Sequence, residues 1–418
     1  MNVALLGHVD AGKTTLARVL TEIASTAAFN HAEGRENTQD LGYSSLSINN
    51  HRVVLIDCPG HAALIRAVVA ASSVIDGAII VISSIKGIEP QTAEHLLLAS
   101  LCCPHTITVV ITKVDLATKE QLESTEKSIR RAMKTLGVKE ISMIRVRLIG
   151  DDKEIDDGRR RIRENIELMM NNKCSQEPET ASSPSPLIAV DHCFSIKGKG
   201  SVLTGSVLYG RVKVGSEIEI GQTKEKRKVK ELQSWKENVI EVSRGERVAM
   251  LVSSLESPIS RCIVGPPGGL SPLIHIRATV TTIPFFRFPI KDGAKVHISC
   301  GYETEMATVR FGRCEEGAAY ELLSTLSSPC TVFVHLSHPL FSPIGSFYIA
   351  SRLELETKGC RFAFYGKLEN SIDNEEPKFF SRQRREGEIE RVHDNRTVIV
   401  KDLFKKETKH SLFNNMPV

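Results

Sequence analysis

Eight residues, Gly7-His8-Val9-Asp10-Ala11-Gly12-Lys13-Thr14, constrain this chain more than any other stretch. They fit G-x-x-x-x-G-K-[ST] without a mismatch, follow the apolar run Val3–Leu6 and open a helical pattern at Lys13. A strand that turns through glycines straight into a helix is the setting in which this motif cradles phosphate. Gly7 and Gly12 let the backbone wrap phosphates with its N–H groups. The helix N-terminus adds the positive end of its dipole. Lys13 reaches the β and γ phosphates, and the Thr14 hydroxyl binds Mg²⁺.

The flanking pattern suits that loop. Val53–Ile56, Ala78–Ile82 and Ile107–Ile111 repeat the short apolar run, with a further strand near Ser142–Val146. Helical patterns lie between them at Lys13–Ala27, Ala62–Ser73, Gln91–Cys102 and Gln121–Leu136, and a charged one at Asp156–Met170. Continuous apolar strands alternating with helices predict an α/β domain with a parallel sheet covered on both faces, over 1–173. Residues 174–186 are polar and proline-rich and read as a linker. From Leu187 short alternating runs follow every eight to twelve residues, broken by Gly or Pro. They predict two antiparallel β-barrels, over 187–268 and 269–366, then a short C-terminal β segment over 367–418.

Composition narrows the class. With 41% hydrophobic and 25% charged residues among 418, the chain is neither mostly disordered, collagen-like nor a coiled coil. The net charge is only +4, and residues 1–170 hold 20 basic against 21 acidic side chains, so the positive excess lies after the first domain. Contact with nucleic acid is expected there. The ten cysteines include no C-x-x-C, and Cys102 and Cys103 are adjacent, which fits a reducing compartment and neither a disulfide framework nor a zinc site. MNVALLGHVD has no charged leader region, and the most apolar stretch, Ala67–Ser84, is broken by Asp76. Neither a signal peptide nor a membrane span is expected, and the default location is the cytosol.

Two further motifs follow in order. Asp57-Cys58-Pro59-Gly60 ends the second apolar run. A carboxylate there can hold Mg²⁺ through water, and the Gly60 N–H can face a γ-phosphate. His61 comes next and is placed to orient an attacking water. Thr112-Lys113-Val114-Asp115 follows Ile107–Ile111. Asp115 can accept both N–H donors of a guanine edge, a pair adenine does not offer. Many GTPases have Asn where Thr112 stands; Thr keeps one donor but lacks the amide's reach.

Together the three motifs resemble those of P-loop GTPases, and GHVDAGKTTL with DCPGH resembles the translational branch. Asp191-His192-Cys193-Phe194-Ser195-Ile196-Lys197-Gly198, Thr204-Gly205, Gly245-Glu246-Arg247, Gly301-Tyr302-Glu303-Thr304, Ser351-Arg352-Leu353 and Leu403-Phe404-Lys405-Lys406-Glu407-Thr408 resemble the eukaryotic selenocysteine-specific elongation factors of SelB type, here with a shortened C-terminal domain. The resemblance implies a GTPase, working as a monomer, that delivers selenocysteyl-tRNA to ribosomes paused at a recoded UGA, with RNA-bound recoding factors as further partners. Residue by residue it implies phosphate contacts by Asp10, Ala11, Gly12, Lys13, Thr14 and Thr15, with Gly60 at the γ-phosphate. Mg²⁺ would take Thr14, Thr38 and Asp57, and His61 would serve hydrolysis. Thr112, Lys113 and Asp115 would hold guanine. Asp191, His192 and Arg247 would form the selenocysteyl pocket.

The chain also departs from the family. The first switch, usually R-G-I-T, is Arg35-Glu36-Asn37-Thr38, and the last guanine loop, usually S-A-K or A-A-K, falls near Val146-Arg147-Leu148-Ile149. These departures support one rival reading, a nucleotide-dependent tRNA- or RNA-binding module with decayed hydrolysis; a second rival, a general aminoacyl-tRNA or initiator-tRNA carrier, is opposed by the Asp191–Gly198 segment. Trp235 lies in the basic stretch Lys224–Lys236 and could stack on a base or pack within a hairpin. Phe285-Phe286-Arg287-Phe288 could dock tRNA or the first domain, or form a barrel-edge cluster. The basic run from Lys378, with Arg382, Arg384 and Arg385, suits RNA or a solvated face.

Overall fold

The computed structural model describes residues 1–21, 23–24, 41–59, 74–138, 140–174, 185–256, 259, 261–301, 303–314, 319–354, 359–372, 377–381, 387–394 and 397–401. The strand that leads into the glycine-rich loop, β1 (Asn2–Leu6), is the middle of a seven-stranded sheet of order β2-β3-β4-β1-β5-β6-β7. Its partners are β2 (Ile23–Ala24), β3 (Gly42–Ile48), β4 (His51–Asp57), β5 (Gly77–Ser83), β6 (Ile107–Thr112) and β7 (Ser142–Arg145). β4, β1, β5, β6 and β7 run parallel. Every residue of β1, β5 and β6 is buried, as strands covered on both faces must be. Alternate side chains serve the two layers. Val3, Leu5 and Ile79 pack with Leu16 and Leu20 of α1 (Lys13–Leu20) and Ile162 and Ile166 of α4 (Asp152–Cys174). Ala4, Leu6 and Ile80 pack with Leu96 and Leu97 of α2 (Pro90–Cys102) and Ile129 and Met133 of α3 (Lys119–Thr135). α3 begins with a capping box between Thr118 and Gln121.

The sheet is not wholly parallel. β3 runs antiparallel to β4, and β2 antiparallel to β3. The sequence expectation missed β3 because GYSSLSI is not an apolar run; Ser44 and Ser45 are buried all the same. Asn49 and Asn50 both take left-handed φ, 48° and 61°, and make the two-residue turn that joins β3 to β4. The first helix also stops early, at Leu20 and not near Ala27. Thr21 is extended there, and Ile23 and Ala24 pair with Ser45 and Ser44 instead. The expected helix Ala62–Ser73 lies outside the described residues.

An eight-stranded antiparallel sheet spans Leu187 to Gly265, and a nine-stranded sheet, antiparallel but for its last strand, spans Leu273 to Phe380. In the latter, Ala294–Cys300 pairs with Phe347–Ser351 on one side and Glu303–Cys314 on the other, closing a ring of strands into a barrel. The expected division at 366/367 falls inside the strand Phe362–Ser371, and Lys378–Phe380 still pairs with Ala319–Leu323. Glu388–Asp394 and Thr397–Lys401 form a separate hairpin. Most of the expected linker and all of 402–418, including the LFKKET segment, lie outside the described residues.

The sheets are packed together by one continuous core. Ala4 and Ile56 of the first domain share it with Leu187 and Ile263 of the second sheet and Phe341 and Phe362 of the third. Across it Glu94 of α2 meets Arg361, whose Nε and Nη2 donate to the carboxylate at 2.9 and 2.6 Å, with both residues buried.

Candidate functional site

The glycine-rich loop carries the geometry that its residue types require. Gly7 has φ 145°, and a Cβ there would lie 2.2 Å from the Val81 carbonyl oxygen, so only glycine passes over β5. Asp10 (φ 61°) and Gly12 (φ 96°) are left-handed, and Gly12 caps α1. Lys13 is buried beneath the loop, its Nζ donating to the His8 carbonyl at 2.7 Å. Burial lowers its pKa against the opposing charges of Asp57 and Asp10. An anion added beside such an ammonium stabilises its charged form. Next to it Thr14 Oγ1 donates to Asp57 Oδ2 at 2.7 Å, which places two hard oxygen ligands side by side at the end of β4.

One supporting residue was not evident from sequence. The Gly7 N–H donates to Nδ1 of His95 at 2.9 Å, so this imidazole carries its proton on Nε2. Burial first, then the Lys13 charge, pushes His95 down to about 3, and it stays neutral. His95 follows Glu94 on α2, so one turn of helix touches both the loop and the third sheet. A histidine inside a helical pattern carries no signal that would have singled it out.

At the other end of the nucleotide site, Thr112 is fully buried at the tip of β6. Its hydroxyl donates to the Ala11 carbonyl at 2.7 Å. It therefore ties the phosphate loop to β6. Lys113 (φ 57°) turns the chain into the short helix Val114–Leu116, and Asp115 stands partly exposed on it. Thr15 lies on α1. Thr38, Gly60 and His61 lie outside the described residues, as do Arg35, Glu36 and Asn37.

The three residues of the expected aminoacyl pocket do come together on the second barrel. The strand Leu187–Ile196 pairs with Gly200–Tyr209, and the register slips between Val190 and His192. Asp191 is the extra residue of that bulge, a device that re-aims side chains. A Cβ on Gly205 would sit 2.2 Å from the Ala189 carbonyl oxygen, which accounts for the glycine after Thr204. Asp191 accepts from Thr204 Oγ1 at 3.0 Å, faces His192 Nδ1 at 3.0 Å and pairs with Arg247 Nη1. Burial alone would raise its carboxyl; the Arg247 charge and the hydrogen bonds from His192 and Arg247 override that and hold it well below the usual carboxylate range. The Arg247 guanidinium also lies 3.6 Å from the centre of the Tyr43 ring, on β3 of the first domain. Tyr43 pairs with Ile56 and its neighbour Gly42 with Asp57, so the cluster abuts the strand that ends at Asp57. Tyr43 too was missed, because β3 was; the Asn49-Asn50 turn was the available clue.

The remaining candidates are placed as follows. Trp235 and Lys236 form a left-handed turn, with Trp235 partly buried against the shared core. Phe286 packs on the third barrel's core, while Phe285 and Phe288 line a cleft of about 800 Å³ facing Pro90, Leu97 and Leu136 of the first domain. Among the described residues no helix is long and apolar enough to cross a membrane, and no three His, Cys, Asp or Glu side chains are grouped to hold a metal.

A parallel sheet with this loop at the tip of its central strand, followed by two β-barrels, defines a translational GTPase with a GTP-binding first domain. Residues 1–190 match the elongation factor Tu GTP binding domain, and residues 376–418 match the eEFSec C-terminal RIFT domain. The chain is 31% identical to the selenocysteine-specific elongation factor of Mus musculus, across its full length and 84% of that protein. It is 33% identical to that of Methanocaldococcus jannaschii, over 74% of this chain and 66% of the other. Among solved structures, elongation factor SelB of Methanococcus maripaludis in complex with the GTP analogue GppNHp superposes with a TM-score of 0.82 and 28% identity, over 97% of this chain and 86% of that one. The chain belongs to the selenocysteine-specific elongation factor family.

Proposed function

We propose that this translation factor carries selenocysteyl-tRNA in its GTP-bound form, delivers it to ribosomes at recoded UGA codons and hydrolyses GTP on delivery. The observation that carries the proposal is the buried Asp191–Arg247 pair beside His192 on the second barrel. A selenol is more acidic than a thiol, whose reference pKa is about 8.5, so selenocysteine is largely an anion at neutral pH. A fixed guanidinium and a nearby imidazole read that anion, and a neutral seryl hydroxyl gains less from them.

Within the nucleotide site, Asp10, Ala11, Gly12, Lys13, Thr14 and Thr15 hold the phosphates, with Gly60 at the γ-phosphate. Asp115 accepts the guanine N1–H and 2-amino donors, with Lys113 beside it and Thr112 bracing the loop from behind. Thr14, Asp57 and Thr38 hold Mg²⁺, whose role when bound is to offset phosphate charge. His61 orients the water that attacks the γ-phosphorus as the bond to the β–γ bridging oxygen breaks. The domains divide as 1–173, a linker 174–186, 187–268, 269–366 and 367–418, the last boundary falling within the strand Phe362–Ser371. The ribosome and RNA-bound recoding factors are its partners, and it acts in the cytosol as a monomer.

The test is to capture the protein with a GTP analogue bound and sequence the co-purifying tRNA. Enrichment of selenocysteine tRNA is expected. Bulk elongator or initiator tRNA would contradict the proposal in favour of a general carrier. GTP turnover that ribosomes do not stimulate would favour a binding module without hydrolysis.

A further inference from the structure

Val146-Arg147-Leu148-Ile149 stand where the resemblance puts the family's last guanine-contacting loop, and Gly150 follows them. Their placement gives that loop a different chemistry. The Val146 N–H donates to the Ile111 carbonyl at 2.9 Å, so the chain leaves β7 level with the end of β6. Leu148 Cδ1 comes within 3.5 Å of where a Cβ on Gly12 would be, so the loop lies against the phosphate loop. Between them Arg147 folds back. Its Nε donates to the Ile149 carbonyl at 3.0 Å, its Nη1 to Glu154 Oε2 at 2.9 Å, and its Nε stands 3.9 Å from Asp115 Oδ2. Gly150, at φ 131°, makes room for it: a Cβ there would lie 2.7 to 2.8 Å from the guanidinium. The side chain is held in place and is still 38% exposed.

We propose that Arg147 donates to O6 of the bound guanine and so selects a 6-oxopurine. The inference rests on the reading that Asp115 accepts from guanine N1–H and the 2-amino group. Along the same base edge, the atom beyond N1 is O6, an acceptor in guanine; in adenine it is a 6-amino donor. A guanidinium has five N–H donors and no acceptor, and the two bonds to Ile149 and Glu154 use two of them. Placed beside Asp115, it complements O6 and is mismatched to the adenine amino group. Arginine reading the O6 edge of guanine is a frequent base contact in nucleic-acid recognition for the same reason. With the Thr112 hydroxyl on the Ala11 carbonyl, Arg147 is a side-chain donor beside Asp115 on this side of the base edge.

Binding of the full-length protein to GTP, ITP and 2-aminopurine riboside triphosphate tests this, in wild type, Arg147→Ala, Arg147→Lys and Asp115→Asn. GTP and ITP keep both O6 and N1–H; the 2-aminopurine nucleotide lacks both, so the mutant-to-wild-type ratio for each nucleotide, and not its absolute affinity, reads the O6 contact. Arg147→Ala should weaken GTP and ITP about tenfold and leave the 2-aminopurine nucleotide unchanged. Arg147→Lys should restore part of the loss, because it keeps the charge without the fork. Equal weakening of all three would mean that Arg147 only braces the loop, and no weakening would mean that it does not touch the base; either overturns the proposal. The Asp115→Asn protein separates the parent reading. If it loses GTP while Arg147→Ala shows no base-dependent change, only the Arg147 proposal fails. If Asp115→Asn leaves GTP and ITP binding intact, the guanine edge does not sit at Asp115 and both readings fail.

Discussion

The phosphate loop and the Asp191–Arg247 cluster are both polar and largely buried, yet they are held in opposite ways. In the loop the ligand-facing groups belong to the backbone. Their shape is set by Gly7, Asp10 and Gly12, and the support comes from behind, through His95 and Thr112. In the cluster the groups are side chains of opposite charge that already satisfy one another, with Tyr43 closing over Arg247. In a loop of the first kind an anion meets backbone N–H groups, and only the Lys13 contact to the His8 carbonyl and the Thr14 contact to Asp57 stand beside it. A cluster of the second kind takes an anion only if that anion competes with Asp191 for the guanidinium. Affinity is therefore the business of the first region and discrimination that of the second, because a weak dipole cannot compete with a carboxylate.

The largest effect should come from the support behind the loop. Arg361→Ala leaves Glu94 buried without its cation and should cost about 3–5 kcal/mol of stability, measured by chemical denaturation. Replacing both partners by apolar residues, Arg361→Met with Glu94→Leu, should recover most of that loss. A single mutant as stable as wild type would show that α2 does not need the third barrel. Next, Lys13→Ala should weaken GTP binding about a hundredfold, the scale of losing hydrogen bonds to a charged ligand, with seryl and selenocysteyl discrimination unaddressed by the change. Calorimetric titration of the nucleotide decides it.

Acid should separate the two regions further. The unfolded reference for histidine is about 6.5, and burial holds His95 at about 3 in the folded chain. Below 6.5 the unfolded chain takes up a proton that the folded one refuses. The stability present at neutral pH is therefore lost as pH falls, by at most about 1.4 kcal/mol per pH unit, until the folded group itself titrates. Asp191 is held well below the usual carboxylate range, so its contribution is present above the unfolded carboxylate pKa of about 3.9 and is lost only below it. His95→Gln keeps an acceptor for the Gly7 N–H and does not titrate. It should flatten the fall in unfolding free energy between pH 7 and 5; an unchanged slope would mean that His95 is not the titrating group.

These contrasts also explain what could be read without coordinates. The loop was legible because its function is a backbone shape, and a backbone shape needs glycine at fixed positions. The strands β1, β5 and β6 were legible because each is built on a short, mostly apolar and β-branched run. β3 was not, because two of its buried positions are serines and its pairing is set by the Asn49-Asn50 turn. Asp191, His192 and Arg247 came from family resemblance alone, since they lie on strands brought together by a bulge and by pairing distant in sequence. His95 and Glu94 left no trace in the sequence because each acts on a residue far along the chain, and Tyr43 was reachable only through the Asn49-Asn50 turn that marks β3. Thr112 was singled out as a base contact, and the fold gives its hydroxyl a different partner.

The most direct test of the account is at Arg247. Binding of selenocysteyl-tRNA and of the same tRNA charged with serine should be measured for wild type and Arg247→Ala, each with a GTP analogue bound. A cation–anion contact near 4 Å is worth up to ~4 kcal/mol at an effective dielectric of 20, before desolvation. Even half of that is more than tenfold in affinity, since about 1.4 kcal/mol is a factor of ten. Wild type should therefore prefer the selenocysteyl form by about tenfold or more, and the mutant should bind both forms nearly alike with its nucleotide affinity intact. A mutant that keeps the full preference would contradict the assignment of discrimination to this cluster.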